Sequence, residues 1–309
     1  MGGGGGGGYT PPRVTELQQK IQEARQEEEA KLRGQIDSFL RDELSKYNQR
    51  DAEEIRDRLD EISESVDIDF QRMLFGGSVA KHTYVDGLSD VDALAIMDRD
   101  NTQGVSAQDV LDQFYDDIDV NLPRERGIED ISKGRLAVTI EYSDGTEIQV
   151  LPAVRVGDEI RIPDASGSGW KATNPQAFRE SLSAENGRLG KNLVPAIKLV
   201  KSLVSDLPKQ QRPTGYHVES LALDAVRGFR GDSSVRGLID RILDRASSRV
   251  LRPIADVTGQ SRIVDEYLGS SNSAERRMIS QAVGGIRRRL NATTSVSQWE
   301  TIFSRRDKK

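Results

Sequence analysis

Residues 75 to 98, FGGSVAKHTYVDGLSDVDALAIMD, hold the chain's clearest chemistry. Asp90 and Asp92 stand two apart ahead of an apolar run. On a strand, that spacing would present both carboxylates on one face while Val91 turns to the core. Two like charges held so close repel, so a cation must offset them or one must carry a proton. A pair of divalent ions about 3.5–4 Å apart answers that need and suits in-line displacement at phosphorus. Mg2+, or Mn2+ in its place, takes oxygen ligands and keeps waters and substrate phosphates in its shell. Upstream, Gly76 and Gly77 let the backbone approach a ligand closely, and Ser78 offers N–H and hydroxyl to a phosphate oxygen if it opens a helix. An isolated Asp-x-Asp is ordinarily a solvated turn. With Gly-Gly-Ser before it at this spacing, the reading becomes a nucleoside-triphosphate site.

These residues need elements to hold them. MLFGGS and DALAIMD read as short buried strands, VSAQDVLDQFYDDI as a helix, and RLAVTIEY with TEIQVLPAV as a hairpin closed by Ser143-Asp144-Gly145. Before them, Pro12 to about Val66 is rich in Glu, Arg, Gln and Lys with apolar residues at Leu17, Ile21, Leu32, Ile36, Leu40 and Leu44, a spacing that predicts amphipathic helices packed along one side of the body. A coiled-coil dimer arm is the competing reading. After Trp170 the pattern turns helical, with apolar stripes through LVPAIKLVKSLVSDL, YHVESLALDAVRGF, Val235 to Leu243 and Met278 to Ile286. The expected layout is a Gly-rich lead at 1–11, a small mixed sheet with helices through 12–165, and a helical lobe over 166–309.

Composition narrows the classes. The 309 residues are 30% charged and 36% apolar, with a net charge of −6. That balance argues against a general nucleic-acid coat, which would show an excess of Lys and Arg, so no stable nucleic-acid partner is expected. Cysteine is absent and only His82 and His217 are histidines, so thiolate and His-rich metal sites are excluded or disfavoured. No apolar stretch approaches the roughly 20 residues that cross a bilayer. The Gly-rich start resembles neither a signal nor a transit peptide, and the cytoplasm is the expected location.

The stretch GGSVAKHTYVDGLSDVD resembles the Gly-Ser…Asp-x-Asp signature of the DNA polymerase β-like nucleotidyltransferase superfamily. EIQVLPAV is similar to that superfamily's third-carboxylate strand. The stretches WKATNPQAFRESLSAENGRLGKNLVPAIKLVKSL and TGYHVESLAL are similar to the helical half of its oligoadenylate-synthetase and cyclic-oligonucleotide-synthase branch. The resemblance spans roughly residues 60 to 295 and is nearest to bacterial CD-NTases, relatives of cyclic GMP-AMP synthase that act in anti-phage (CBASS) signalling. It implies an α+β fold: a polymerase β-like lobe with a small mixed sheet, a C-terminal helical lobe, and the active site in the cleft between them.

By resemblance, Gly77 and Ser78 hold the terminal phosphates, Asp90 and Asp92 hold two Mg2+, and Lys201, rather than Lys198, reaches the triphosphate. The family places a Ser-Tyr pair ahead of an apolar-Leu-Glu run; here Tyr216 would stack on a base, and Thr214 would stand in for the hydroxyl missing at Gly215. His217 and Glu219 are expected to be structural. The family's third acid falls on Gln149, an amide that neither accepts a proton nor ligates Mg2+ as a carboxylate does. Glu147, two residues earlier on the same face, is the expected replacement. The implied activity is synthesis of a cyclic oligonucleotide from ribonucleoside triphosphates, ATP among them, beside effector or regulatory proteins. The alternatives are a linear oligoadenylate or tailing enzyme, a transferase of single nucleotides, and a catalytically weak nucleotide sensor. The segments RRMISQAVGGIRRRL and SRRDKK would be the basic track that an RNA substrate needs.

Overall fold

The computed structural model describes residues 12–45, 52–67, 70–75, 83, 91–98, 105–134, 136–164, 169–255 and 264–303. The Gly-rich lead, Gly76, Gly77, Ser78, Asp90 and the terminal SRRDKK lie outside these residues, as do the side chains of Val91 and Asp92.

Seven strands among the described residues form one sheet: β1 Phe70–Phe75, β2 Val91–Asp98, β3 Ile128–Lys133, β4 Val138–Tyr142, β5 Glu147–Val156, β6 Glu159–Pro163 and β7 Trp170–Thr173. The path is β1-β2-β5-β4-β3, with β6 and then β7 added on β5. Only β2 and β5 are parallel; every other pair is antiparallel. β5 is the central strand because it is long enough to pair with β4 at its start and β6 at its end. Pro152 has no N–H to give a ladder. It falls where the outer pairing passes from β4, last matched at Val150, to β6, first matched at Val154.

The helices are α1 Pro12–Ser45, α2 Ala52–Glu64, α3 Ala107–Asn121, α4 Pro175–Arg188, α5 Leu193–Ser205, α6 Gly215–Val226, α7 Val235–Arg249, α8 Ala274–Asn291 and α9 Val296–Phe303. A capping box starts α3: the Ser106 hydroxyl accepts from the Asp109 N–H and the Asp109 carboxylate accepts from the Ser106 N–H. Its buried stripe, Val110, Leu111, Phe114 and Ile118, covers one face of the sheet together with Ile55, Leu59 and Ile62 of α2 and Ala93, Ala95, Ile148 and Val150. Leu94, Ile96 and Ala153 form a smaller cluster on the other face with Leu151, Ile160 and Ile162.

The second core is helical. It is built around α5 and α6, which are buried along most of their length. Of the two N-terminal helices, α2 packs against the sheet and α1 in the helical core. Ile36 and Leu40 of α1 are fully buried in the helical core, Asp37 accepts a hydrogen bond from the Arg236 N–H, and Phe39 meets Phe303 edge to face. Equally, the sheet runs on past 165: β7 pairs with β6 over 170–173, where a helical pattern was expected to begin. Its residues, Trp-Lys-Ala-Thr, are too few for either periodicity to show.

Candidate functional site

The parallel register of β2 and β5 sets the acidic end of the sheet. Position 92 pairs with Gln149, Leu94 with Leu151 and Ile96 with Ala153. By the two-residue period, positions 92, 147 and 149 therefore share the face of Leu94 and Ile96, opposite the one that α2 and α3 cover. Next along the sheet, Thr139 is matched with Gln149 and Glu141 with Glu147. Glu141 is thus a further acid on this face, which the sequence reading did not single out. Its signal was there, in the alternation of VTIEY opposite EIQV.

The amide of Gln149 donates to Glu147 Oε1 at 2.8 Å. Gln149 thus acts on Glu147 instead of replacing it: a neutral donor satisfies one carboxylate oxygen in a crowd of acids. The register aligns Asp92 of β2 with Gln149 of β5, residues 57 apart in sequence, and so with Glu147 beside it.

On the helical side, Lys201 and Glu219 are 5% and 1% exposed and form an ion pair of 2.7 Å. The Lys201 ammonium also donates to the Thr83 carbonyl at 3.1 Å, and the Thr83 hydroxyl donates to Glu219 Oε1 at 2.5 Å. The lysine expected to reach a triphosphate is therefore engaged inside the protein, and Glu219, expected to be structural, is its partner. A Cβ at Gly215 would stand 3.5 Å from the ammonium.

Thr214 is the N-cap of α6, its hydroxyl accepting from the His217 N–H at 3.3 Å. The next side chain, Tyr216, is 37% exposed, with its ring 5.0 Å from that of Phe178 on α4. Beneath the same cap lies a polar network that runs from the half-exposed Tyr267 to the buried His217, Asp265 and Arg276. The Thr214 N–H donates to the Tyr267 hydroxyl at 3.2 Å, and that hydroxyl lies 3.0 Å from His217 Nδ1. His217 Nε2 faces Asp265 at 3.5 Å. Asp265 accepts from Arg276 at 2.5 Å and from the Ile254 N–H at 2.9 Å. Arg276 is fully buried and also donates to the carbonyls of Val250, Asp265, Gly269 and Ser270. In sequence this arginine looked like part of a basic surface run.

Comparison with known proteins gives these elements a family. The family described as SMODS, Second Messenger Oligonucleotide or Dinucleotide Synthetase domain, matches residues 31–186, half of the 309 residues. The chain belongs to the SMODS family. No curated protein matches by sequence, whereas solved structures match over most of the length. The Vibrio cholerae DncV cyclic AMP-GMP synthase, in complex with a linear intermediate, superposes with a TM-score of 0.60 at 12% identity, covering 96% of this chain and 90% of that one. CdnC of E. coli MS115-1 with ATP gives 0.58 at 15% identity, covering 81% and 90%. The CD-NTase CdnG of Bradyrhizobium diazoefficiens with GTP gives 0.55 at 14%, covering 72% and 78%. The fold is accordingly the polymerase β-like one of the CD-NTases, an α+β lobe with a helical lobe. The SMODS match ends inside α4, and the structural matches carry the likeness on through the helical lobe. Among the described residues, no helix is long and apolar enough to cross a membrane.

Proposed function

We propose that this SMODS protein is a Mg2+-dependent synthase that joins ribonucleoside triphosphates, ATP among them, into a cyclic oligonucleotide messenger, acting in the cytoplasm in bacterial anti-phage signalling beside an effector or regulatory partner. The observation that carries the reading is the register that aligns Asp92 with Gln149 and the neighbouring Glu147 at one end of the sheet, in a family of second-messenger oligonucleotide synthetases. The donors at these positions are hard oxygens, which suit Mg2+ or Mn2+. Asp90 and Asp92 would hold two such ions with Glu147 completing the set. When bound, they would supply charge neutralisation at the reacting phosphate and a more acidic ribose hydroxyl.

The chain's own residues would do the rest. Gly77 and Ser78 bind the phosphates, Tyr216, 37% exposed, stacks on a base, and Thr214 fixes the start of the helix that carries it. The Lys201 charge is balanced by Glu219 at 2.7 Å. The ribose hydroxyl of one nucleotide attacks the α-phosphorus of another, the bond to the bridging oxygen breaks, and pyrophosphate leaves. Glu147 would receive the hydroxyl proton, and the hydrogen bond from the Gln149 amide would orient it. Repetition of that step, ending with attack by the nucleotide chain's own terminal hydroxyl, closes the ring. The tailing alternative loses support from the surface: Arg276 is buried, and Arg287 is paired with Asp240 and Asp244, so the basic run is partly used up internally.

Purified protein incubated with labelled ribonucleoside triphosphates and Mg2+ or Mn2+, then treated with phosphatase, tests the reading. A phosphatase-resistant product is expected, and it should vanish in Asp90→Asn with Asp92→Asn. A sensitive product would mean a linear chain, and no product with retained nucleotide binding would mean a sensor. Glu147→Gln should lower turnover by about 100-fold or more. Gln149→Ala, which only removes an orienting bond, should cost about tenfold.

A further inference from the structure

We propose that Tyr267 is a positioning residue for base stacking: its hydroxyl completes the cap of α6 and so fixes the first turn, which carries Tyr216. The inference rests on reading Tyr216 as the residue that stacks on a base. In an ordinary capping box the side chain at the third helical position reaches back to the N–H of the cap residue. Here Thr214 is the cap and His217 the third position, and the forward half of the box is present, with the His217 N–H donating to the Thr214 hydroxyl at 3.3 Å. The return half passes through another residue. The Thr214 N–H donates to the Tyr267 hydroxyl at 3.2 Å, and that hydroxyl meets His217 Nδ1 at 3.0 Å. A phenol fifty residues further along the chain thus closes the box that a Glu or Gln at position 217 would close alone.

Gly215 and Tyr216 are the residues that this box encloses. Gly215 has no side chain to restrict its backbone, so closure of the turn from both ends is what limits the directions open to Tyr216. The ring of Phe178, 5.0 Å away, limits them further. The clasp also has a firm base. Tyr267 sits in the short helical turn Glu266–Leu268. On one side of it Leu268 is buried in the helical core, and on the other Asp265 accepts from the buried Arg276 and from the Ile254 N–H. A tyrosine aimed in advance at the base leaves less ordering for the ligand to impose, which is gained as affinity. Since the Tyr267 ring is 51% exposed, its hydroxyl rather than its burial is what joins it to α6.

Kd for a non-hydrolysable ATP analogue and for inorganic tripolyphosphate, each with Mg2+, read together with Tm, tests this. Tyr267→Phe removes the hydroxyl but keeps the ring and its edge contact with His217, 6.0 Å between centroids. Its Kd for the analogue should rise about fivefold to tenfold, while its Kd for tripolyphosphate, which has no base to stack, stays at the wild-type value and Tm falls by no more than about 4 °C. His217→Gln added to Tyr267→Phe supplies a side chain that closes the box directly, and it should bring the analogue back to within about twofold of wild type. Wild-type affinity for the analogue in Tyr267→Phe, a tripolyphosphate Kd that rises in parallel, or a double variant no tighter than Tyr267→Phe would each overturn the proposal. Tyr216→Ala separates the two readings. If it binds the analogue as the wild type does, the stacking reading and this inference fall together; if it binds weakly and Tyr267→Phe binds normally, only the inference falls.

Discussion

Burial decides the charge of His217. Loss of water around the ring depresses its pKa to about 4; Asp265 pulls the other way, and Arg276 and Arg249 add to the depression. The ring is therefore neutral at physiological pH. Because Tyr267 accepts from the Thr214 N–H, its own proton is free to go to Nδ1, which leaves the ring proton on Nε2 toward Asp265. The unfolded chain binds a proton near pH 6.5, but the folded chain does not until about pH 4. This contribution to stability is thus complete above about pH 6.5 and is lost as the pH falls from there to about 4. Its size is on the order of 3 kcal/mol. Denaturant unfolding from pH 7 to 4 should show that decline, and His217→Gln, which cannot titrate, should flatten it. An unchanged slope in the variant would assign the decline to other groups.

At the scale of elements, α2 is pinned to the β4–β5 turn by one arginine. Arg58 donates to Asp144 at 3.0 Å and to Glu54 at 2.6 Å, with its guanidinium 4.1 Å above the ring of Tyr142. Partial burial would raise the Asp144 pKa, but hydrogen bonds from Arg58 and from Thr146 outweigh it and hold the carboxyl at about 2. Burial pushes the Tyr142 hydroxyl up to about 12, with Arg58 opposing. The hairpin fixed in this way begins β5 and so sets where Glu147 and Gln149 lie. The carboxylate contribution is present above about pH 4 and is lost as the pH falls through about 2. Since Asp144 is about one-third exposed, solvent screening keeps the pair small, and Arg58→Met should cost about 1–2 kcal/mol, packing included. Urea unfolding at pH 7 and pH 2.5 checks it: the variant should lose less on acidification than the wild type.

For the whole molecule, α1 is two structures in one helix. Every residue from 16 to 31 is exposed, whereas Ile36 and Leu40 sit in the helical core. Between 16 and 31 only Leu17 and Ile21 are large apolar residues, 60% and 47% exposed, too few to make a stripe. The second half seats itself on α5, α7 and α9, with Arg41 reaching Asn192 at 3.3 Å. Removing residues 1–30 should move Tm by no more than about 2 °C, whereas Leu40→Ala should cost about 2–5 kcal/mol. A large drop in Tm on truncation would mean that the exposed half is covered in solution, as the dimer-arm reading has it.

Local signals made much of this legible in the sequence. A continuous apolar run marked β2 and alternation β4 and β5; a three-to-four spacing marked the helices; Asp-Gly marked the hairpin turn, where Gly145 takes a φ of +77°; and Gly-Gly-Ser with Asp-x-Asp marked the family. Such features depend on neighbours within a few residues, so the chain alone determines them. The tertiary structure decided what depends on distant partners. Lys201 reads as a phosphate ligand and Arg276 as part of a basic run because their partners, Glu219 with Thr83 and Asp265 with distant carbonyls, come from other elements. The same is true of Gln149, whose place beside position 92 follows from a parallel strand pairing 57 residues apart. Charge, burial and register at these positions are properties of the packed pair, and no single stretch of sequence contains both members.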